Sequence, residues 1–150
     1  MAATRLAVCI LLLLLSFGSA ETFILNSNKY KDSLTRSGFK RFLNGKGLKL
    51  THQNIRGLNH NFDLLQELVS EHNNIDILSL SETHISNFQQ ENLERYDLNG
   101  FTFISKNRSD GKGGGVAFYI NEHINFKRRE NLETPHIESL WIEILIKHQL

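Results

Sequence analysis

The chain has one cysteine, one proline, one methionine and one tryptophan in 150 residues. A single cysteine, Cys9, excludes an intramolecular disulfide framework and a zinc site built from several thiolates. One proline beside ten glycines excludes collagen-like and low-complexity architectures. Neither sign of charge dominates, since 17 Lys and Arg stand against 16 Asp and Glu, a formal net charge of +1. No strong overall field therefore draws the chain to nucleic acid or membrane, although local basic patches are not excluded. Long apolar runs are lacking everywhere but at the start. With 40% apolar and 22% charged residues, the usage is that of one or at most two small globular domains.

The exception is a sharp shift in composition. Residues 1–5 carry one positive charge, Arg5, and no acid, and residues 6–15 are ten consecutive apolar residues. Ser16, Phe17, Gly18, Ser19 and Ala20 follow, placing small residues three and one before a cut after Ala20. That is a secretory signal pattern. The run is short of the ~20 residues that span a bilayer, and a buried helix or short anchor is its other reading. A signal peptide over 1–20 is expected, with a secreted product if it operates and a nuclear or cytoplasmic one otherwise. Its removal takes away Cys9 and leaves apolar runs of only about five residues, so no membrane span is expected afterwards.

Residues 21–47 read as a leader or linker. Asn26, Ser27, Asn28, Ser33, Ser37 and Gly38 are scattered among Lys and Arg, and Phe39, Phe42 and Leu43 suggest a short amphipathic turn. Asn44-Gly45-Lys46-Gly47 closes the segment. From Leu48 the pattern tightens. Leu48, Leu50 and His52 alternate with Lys49, Thr51 and Gln53, predicting a half-buried strand that ends near Asn54. Asn61 is a candidate cap for a helix in which Phe62, Leu65, Leu68 and Val69 share one face. Residues 75–81 predict an interior strand, apolar on both faces. Strand, helix and strand make a βαβ unit with an expected right-handed crossover. A short helix over 87–94 and strands over 101–105, 116–120 and 140–146 complete an α/β fold with a mixed sheet.

Several catalytic motifs fail on inspection. Gly111, Gly113 and Gly115 precede a predicted strand, not a helix, so neither a dinucleotide fingerprint nor a phosphate-binding loop is present. Those glycines are expected to supply positive φ in a hairpin. The seven histidines show no HxH or HxxxH pair, and no GxSxG elbow occurs. What remains is Asn54 and Glu82, polar residues at the carboxyl ends of the two strands of one βαβ unit, where ligands of such sheets lie. A carboxylate beside an amide suits a hard cation such as Mg²⁺, which keeps waters and leaves room for a phosphate. A polar strand end with no further role is the plainer reading.

Four blocks then acquire a common meaning: residues 48–58 (LKLTHQNIRGL), 76–84 (DILSLSETH), 113–120 (GGGVAFYI) and 138–143 (ESLWIE). In order and spacing they resemble the endonuclease domain of non-LTR (LINE-type) retrotransposons, within the endonuclease/exonuclease/phosphatase superfamily, over about residues 46–146. The resemblance implies the N-terminal half of a DNase I-like α/β sandwich, with flanking helices, over 48–150. It implies a Mg²⁺-dependent phosphodiesterase that nicks DNA. Asn54 matches the first-strand Asn that orients the scissile phosphate and metal shell, and Glu82 matches the principal metal ligand of this half. His84 falls where the superfamily places a phosphate-side or groove-side contact, though a surface-loop histidine is its plainer role.

The same resemblance predicts a deficit. The family's later Asn-x-Tyr, GDFN and Ser-Asp-His blocks are not found before Leu150, so a catalytically incomplete domain is expected. Trp141, Leu145 and the inward faces of the Ile77 and Val116 strands are expected to lack part of their cover, which would favour self-association through that sheet. Arg56, Arg108, Lys112 and the Lys127-Arg128-Arg129 cluster are candidate phosphate contacts on DNA. Asn107-Arg108-Ser109 is a glycosylation sequon on the same loop. Against the nuclease reading stands a secreted, non-catalytic binding or structural protein that reuses the half-domain.

Overall fold

The computed structural model describes residues 4–9, 21–25, 38, 41, 43–72, 74–86, 92–107 and 113–146, with the first two ranges and Ile146 described by backbone alone. Among them run the strands β1 (Thr4–Cys9), β2 (Glu21–Leu25), β3 (Lys49–Asn54), β4 (Ile77–Ser81), β5 (Phe101–Lys106), β6 (Val116–Asn121), β7 (Phe126–Arg128) and β8 (Trp141–Ile146), and the helix α1 (Leu58–Glu71). They build two sheets. The larger has the order β2-β3-β4-β6-β5, and the smaller β1-β8-β7. In the larger sheet β2, β3 and β4 are parallel, while β6 runs antiparallel to both its neighbours, β4 and β5, so the expected mixed α/β sheet is found. The smaller sheet is wholly antiparallel.

The β3-α1-β4 unit forms because each segment buries what its period sets on one face. Leu58, Leu65 and Leu68 of α1 are buried, with Phe62 and Val69 packed beside them, against Leu78 and Leu80 of β4 and Ala117 and Tyr119 of β6. Each such leucine contributes about 2 kcal/mol by leaving water. Phe62, Tyr96, Phe103 and Tyr119 continue this layer as a chain of aromatic contacts, and the Tyr119 hydroxyl donates to the Tyr96 carbonyl at 2.7 Å. Gly38, Arg41 and Leu43 are helical, and Leu43 is buried in the same core.

The start of α1 differs from the sequence expectation. The helix begins at Leu58, directly after Gly57 (φ 99°), and has no side-chain cap. Asn61 turns back instead, its amide donating to the carbonyls of Ile55 at 2.9 Å and Gly57 at 3.1 Å. The cause is tertiary: Gly57 N–H and Leu58 N–H donate to the carbonyls of Glu82 and Thr83, at 2.7 and 2.8 Å, and so fix where the helix can begin. Of the helix expected over 87–94, residues 87–91 lie outside the described ones, and the described end leads into a 3₁₀ turn at Leu93–Tyr96.

On its other face the large sheet meets β8. Leu140, Ile142 and Ile144 are buried against Ile77, Val116, Phe118 and Ile120. Ile77 and Val116, expected to lack cover, are therefore 0% and 5% exposed. The reason is that β8 joins a second sheet and lies across the first, so its alternate residues fill the gap. Leu145, on the opposite side of β8, is exposed, and Trp141 is partly so. β7 is too short at three residues for alternation to reveal it. Thr4–Cys9 pairs with β8, and Glu21–Leu25 extends the large sheet beside β3. No described helix is long and apolar enough to cross a membrane.

Candidate active site

Parallel pairing sets the two candidate residues side by side. Asn54 is the register partner of Ser81, so Glu82 follows one step beyond at the same edge of the sheet. The loops leaving both strands then stay zipped by backbone bonds: Ile55 N–H to the Ser81 carbonyl at 3.0 Å, then Gly57 to Glu82 and Leu58 to Thr83. A third segment joins from before β6. Thr83 N–H donates to the Gly115 carbonyl at 3.2 Å and His84 N–H to the Gly114 carbonyl at 2.8 Å. Residues 54–58, 81–84 and 113–115 thus form one platform at the carboxyl ends of β3 and β4.

Strain concentrates on this platform. Arg56 (φ 49°), Glu82 (φ 55°) and His84 (φ 51°) are non-glycine residues in the left-handed region, and every other such described residue is glycine. Each left-handed non-glycine residue costs on the order of 1 kcal/mol, and such residues cluster where function demands a fixed geometry. Of the glycines expected to supply positive φ, Gly113 and Gly115 do so, as does Gly114 between them, in the connection between the antiparallel strands β5 and β6; Gly111 lies outside the described residues. They also do something composition could not show. A Cβ on Gly113 would stand 3.4 Å from His84 Nε2 and 3.9 Å from Glu82 Oε2, so the bare backbone makes room for both side chains.

The Glu82 carboxylate is half-exposed and held from two sides. Its Oε2 accepts from the Gly114 N–H at 3.2 Å and lies 2.8 Å from His84 Nε2. Asn54 is exposed, and its side-chain oxygen accepts from the Arg56 N–H at 3.2 Å, closing a local turn. Behind the edge, on the side of the sheet that faces β8, His52 Nδ1 lies 2.8 Å from Ser79 Oγ, which donates to the Thr51 carbonyl at 3.1 Å. His52 Nε2 is 3.4 Å from Ser81 Oγ. Burial pushes the His52 imidazole below its ordinary 6.5, which favours the neutral ring beside the serine hydroxyls.

The structure therefore brings together Asn54, Arg56, Glu82 and His84. Arg108 and Lys112 lie outside the described residues. Asn107 follows directly on β5 and is partly buried. Of the basic cluster, Arg128 is engaged by Glu133 and Arg129 by Glu143, while Lys127 is exposed. One residue escaped the sequence reading. Glu138, inside the last of the four blocks, accepts from the Gly115 N–H at 2.9 Å and so reaches the platform. Its block was visible in the sequence, but its contact spans 23 residues and could not be.

The profile of the endonuclease/exonuclease/phosphatase family matches residues 51–148, which contain every element of this platform. The chain belongs to the endonuclease/exonuclease/phosphatase family. No curated protein and no solved structure matched it. Membership in the endonuclease/exonuclease/phosphatase family makes this a phosphodiesterase- or nuclease-type domain, and the family generally uses a divalent metal. Among the described residues no group of three or more His, Cys, Asp or Glu side chains converges. The donor set at the two strand ends is one carboxylate, Glu82, and one carboxamide, Asn54, beside the Glu138 carboxylate that accepts from the Gly115 N–H. Hard oxygen donors of that kind fit a cation that keeps most of its waters and takes further ligands from a phosphate.

Proposed function

We propose that the chain is a Mg²⁺-dependent phosphodiesterase domain of the LINE-type endonucleases, acting on DNA. The observation that carries this reading is the convergence of Asn54, Glu82 and His84 on one strained platform at the carboxyl ends of two paired strands. Glu82 and Asn54 would hold the cation. When bound, the cation supplies positive charge against the scissile phosphate and its leaving oxygen.

The chain's own residues do the rest. The Gly114 N–H and His84 fix the Glu82 carboxylate, so it presents its charge without reorganising. Asn54, at the same edge, has its carboxamide oxygen held by the Arg56 N–H. Arg56, exposed on the adjoining loop, supplies positive charge for a backbone phosphate, a contact that needs no base sequence. Water activation needs a group placed to take a proton. With one principal carboxylate at the platform, the expected turnover is slow.

The test is nicking of supercoiled plasmid by the purified chain in Mg²⁺. Slow, cation-dependent nicking that falls at least about a hundredfold in Glu82→Gln supports the reading. Nicking that survives Glu82→Gln, or DNA binding with no nicking at all, overturns it. The second outcome selects the non-catalytic binding module instead.

A further inference from the structure

We propose that Glu138 is a positioning residue for Glu82, acting through the glycine strip at Gly114–Gly115, an inference that rests on the function proposed above. Successive amides of this strip go to two different carboxylates: Gly114 N–H to Glu82 Oε2 at 3.2 Å and Gly115 N–H to Glu138 Oε2 at 2.9 Å. The two carbonyls of the same glycines accept from His84 and Thr83, at 2.8 and 3.2 Å. The Gly114–Gly115 peptide group is thus held on both sides, its carbonyl by His84 and its N–H by Glu138. Turning the Gly115 amide away from Glu138 turns the peptide plane that carries the Gly114 carbonyl, and with it the anchor of His84. His84 in turn contacts Glu82 at 2.8 Å.

The fit is close. A Cβ on Gly114 would stand 2.6 Å from both carboxylate oxygens of Glu138, so this carboxylate lies flat against bare backbone. Glu138 is only partly exposed, and the next two residues, Ser139 and Leu140, are buried. It comes from the segment leading into β8, which belongs to the smaller sheet. The clamp therefore couples the packing of one sheet to a side chain at the edge of the other. Charge-assisted bonds from backbone N–H to carboxylate are stronger than neutral ones, which suits a part that must not yield. A carboxylate held away from a cation by its neighbours' motion would bind that cation less well, as seen generally when a ligand's supporting partner is removed.

The experiment measures Mn²⁺ affinity, by paramagnetic resonance, and the amide shifts of Gly114 and Gly115, by NMR, in the full chain and in Glu138→Ala, Glu138→Gln and Glu82→Gln. The expected result is a loss of Mn²⁺ affinity of roughly tenfold to a hundredfold in Glu138→Ala, and a smaller loss in the isosteric Glu138→Gln. The Gly114 amide shift should move in Glu138→Gln toward its value in Glu82→Gln. If Glu138→Ala does not fold, Glu138→Gln carries both measurements. A folded Glu138→Gln in which Gly115 shifts but Gly114 and the Mn²⁺ affinity keep their wild-type values overturns the proposal. Should the unmodified chain bind no Mn²⁺, the proposed cation site fails, and the Gly114 shift in Glu138→Gln alone decides the clamp. Movement of that shift supports the clamp; an unmoved shift sinks it.

Discussion

The two ends of β4 are built in opposite ways. At its carboxyl end stand Glu82 and His84 in left-handed conformations, with Arg56 beside them in another. At its amino end, Asp76 accepts from the Lys49 N–H at 2.7 Å and pairs with His123 at 2.9 Å. His123 reaches Asn121 at 2.6 Å, and the Asn121 N–H donates to the Asp76 carbonyl at 2.8 Å. None of these residues has positive φ. One end satisfies its polar groups within relaxed backbone; the other holds strained backbone in place with glycines and carboxylates. The lesson is that the same sheet uses polar residues for stability at one edge and for presentation at the other, and strain tells them apart.

The comparison can be broken most forcefully at Gly115. A Cβ there would stand 2.4 Å from Thr83 Oγ1, in a backbone with φ 87°. Gly115→Ala should destabilise the chain by about 3 kcal/mol in urea denaturation, since clash and left-handed strain add. Next in size is Asp76→Ala at the relaxed end. It strips the Lys49 N–H of its acceptor and should cost about 2 kcal/mol while leaving Mn²⁺ affinity unchanged. A loss of Mn²⁺ binding in that variant would erase the division of labour between the two ends.

A relaxed polar cluster outside the large sheet gives a smaller, pH-dependent effect. Burial pushes the Glu133 carboxyl up, but the hydrogen bond and charge of Arg128 outweigh it and hold the group below its ordinary 4.5. The folded state therefore favours the ionised form. Its contribution is present above pH 4.5 and is lost as pH falls through the lowered folded value. Arg128→Met should flatten that part of the stability profile and cost at most about 1 kcal/mol near neutrality. Smallest of all is Arg56→Gly. Glycine relieves the left-handed strain but frees the unfolded chain, so the change should stay within about 0.5 kcal/mol of zero. At His123, which has no such strain and has two partners, the same substitution should lose about 1 kcal/mol.

Much of this architecture was legible from the chain. The strands at Lys49–Asn54, Ile77–Ser81, Phe101–Lys106, Val116–Asn121 and Trp141–Ile146 follow the alternation closely, because each has one or two buried faces that fix its period. Asn54 and Glu82 were legible as strand ends. Asn61 was the right residue in the wrong role, since the bonds that start α1 come from Glu82 and Thr83, more than 20 residues later. Ile77 and Val116 were expected to lack part of their cover because the family resemblance assigns the covering sheet to later residues; alternation says that a residue faces inward, not that β8 is the layer it will face.

The sequence by itself determined the local pieces: the βαβ unit, the polar strand ends, the glycines able to take positive φ, and the four ordered blocks of the family. These depend on neighbours a few residues away, through periodicity and backbone sterics. Tertiary structure decided the rest. It laid β8 across the large sheet, engaged Arg128 and Arg129 with carboxylates, and brought Glu138 onto the amide next to the one that holds Glu82. Apart from the Arg128–Glu133 pair, which spans five residues, those outcomes depend on contacts between separate segments of the chain, and a hydrogen bond from a backbone amide can be accepted by any carboxylate that packing delivers there.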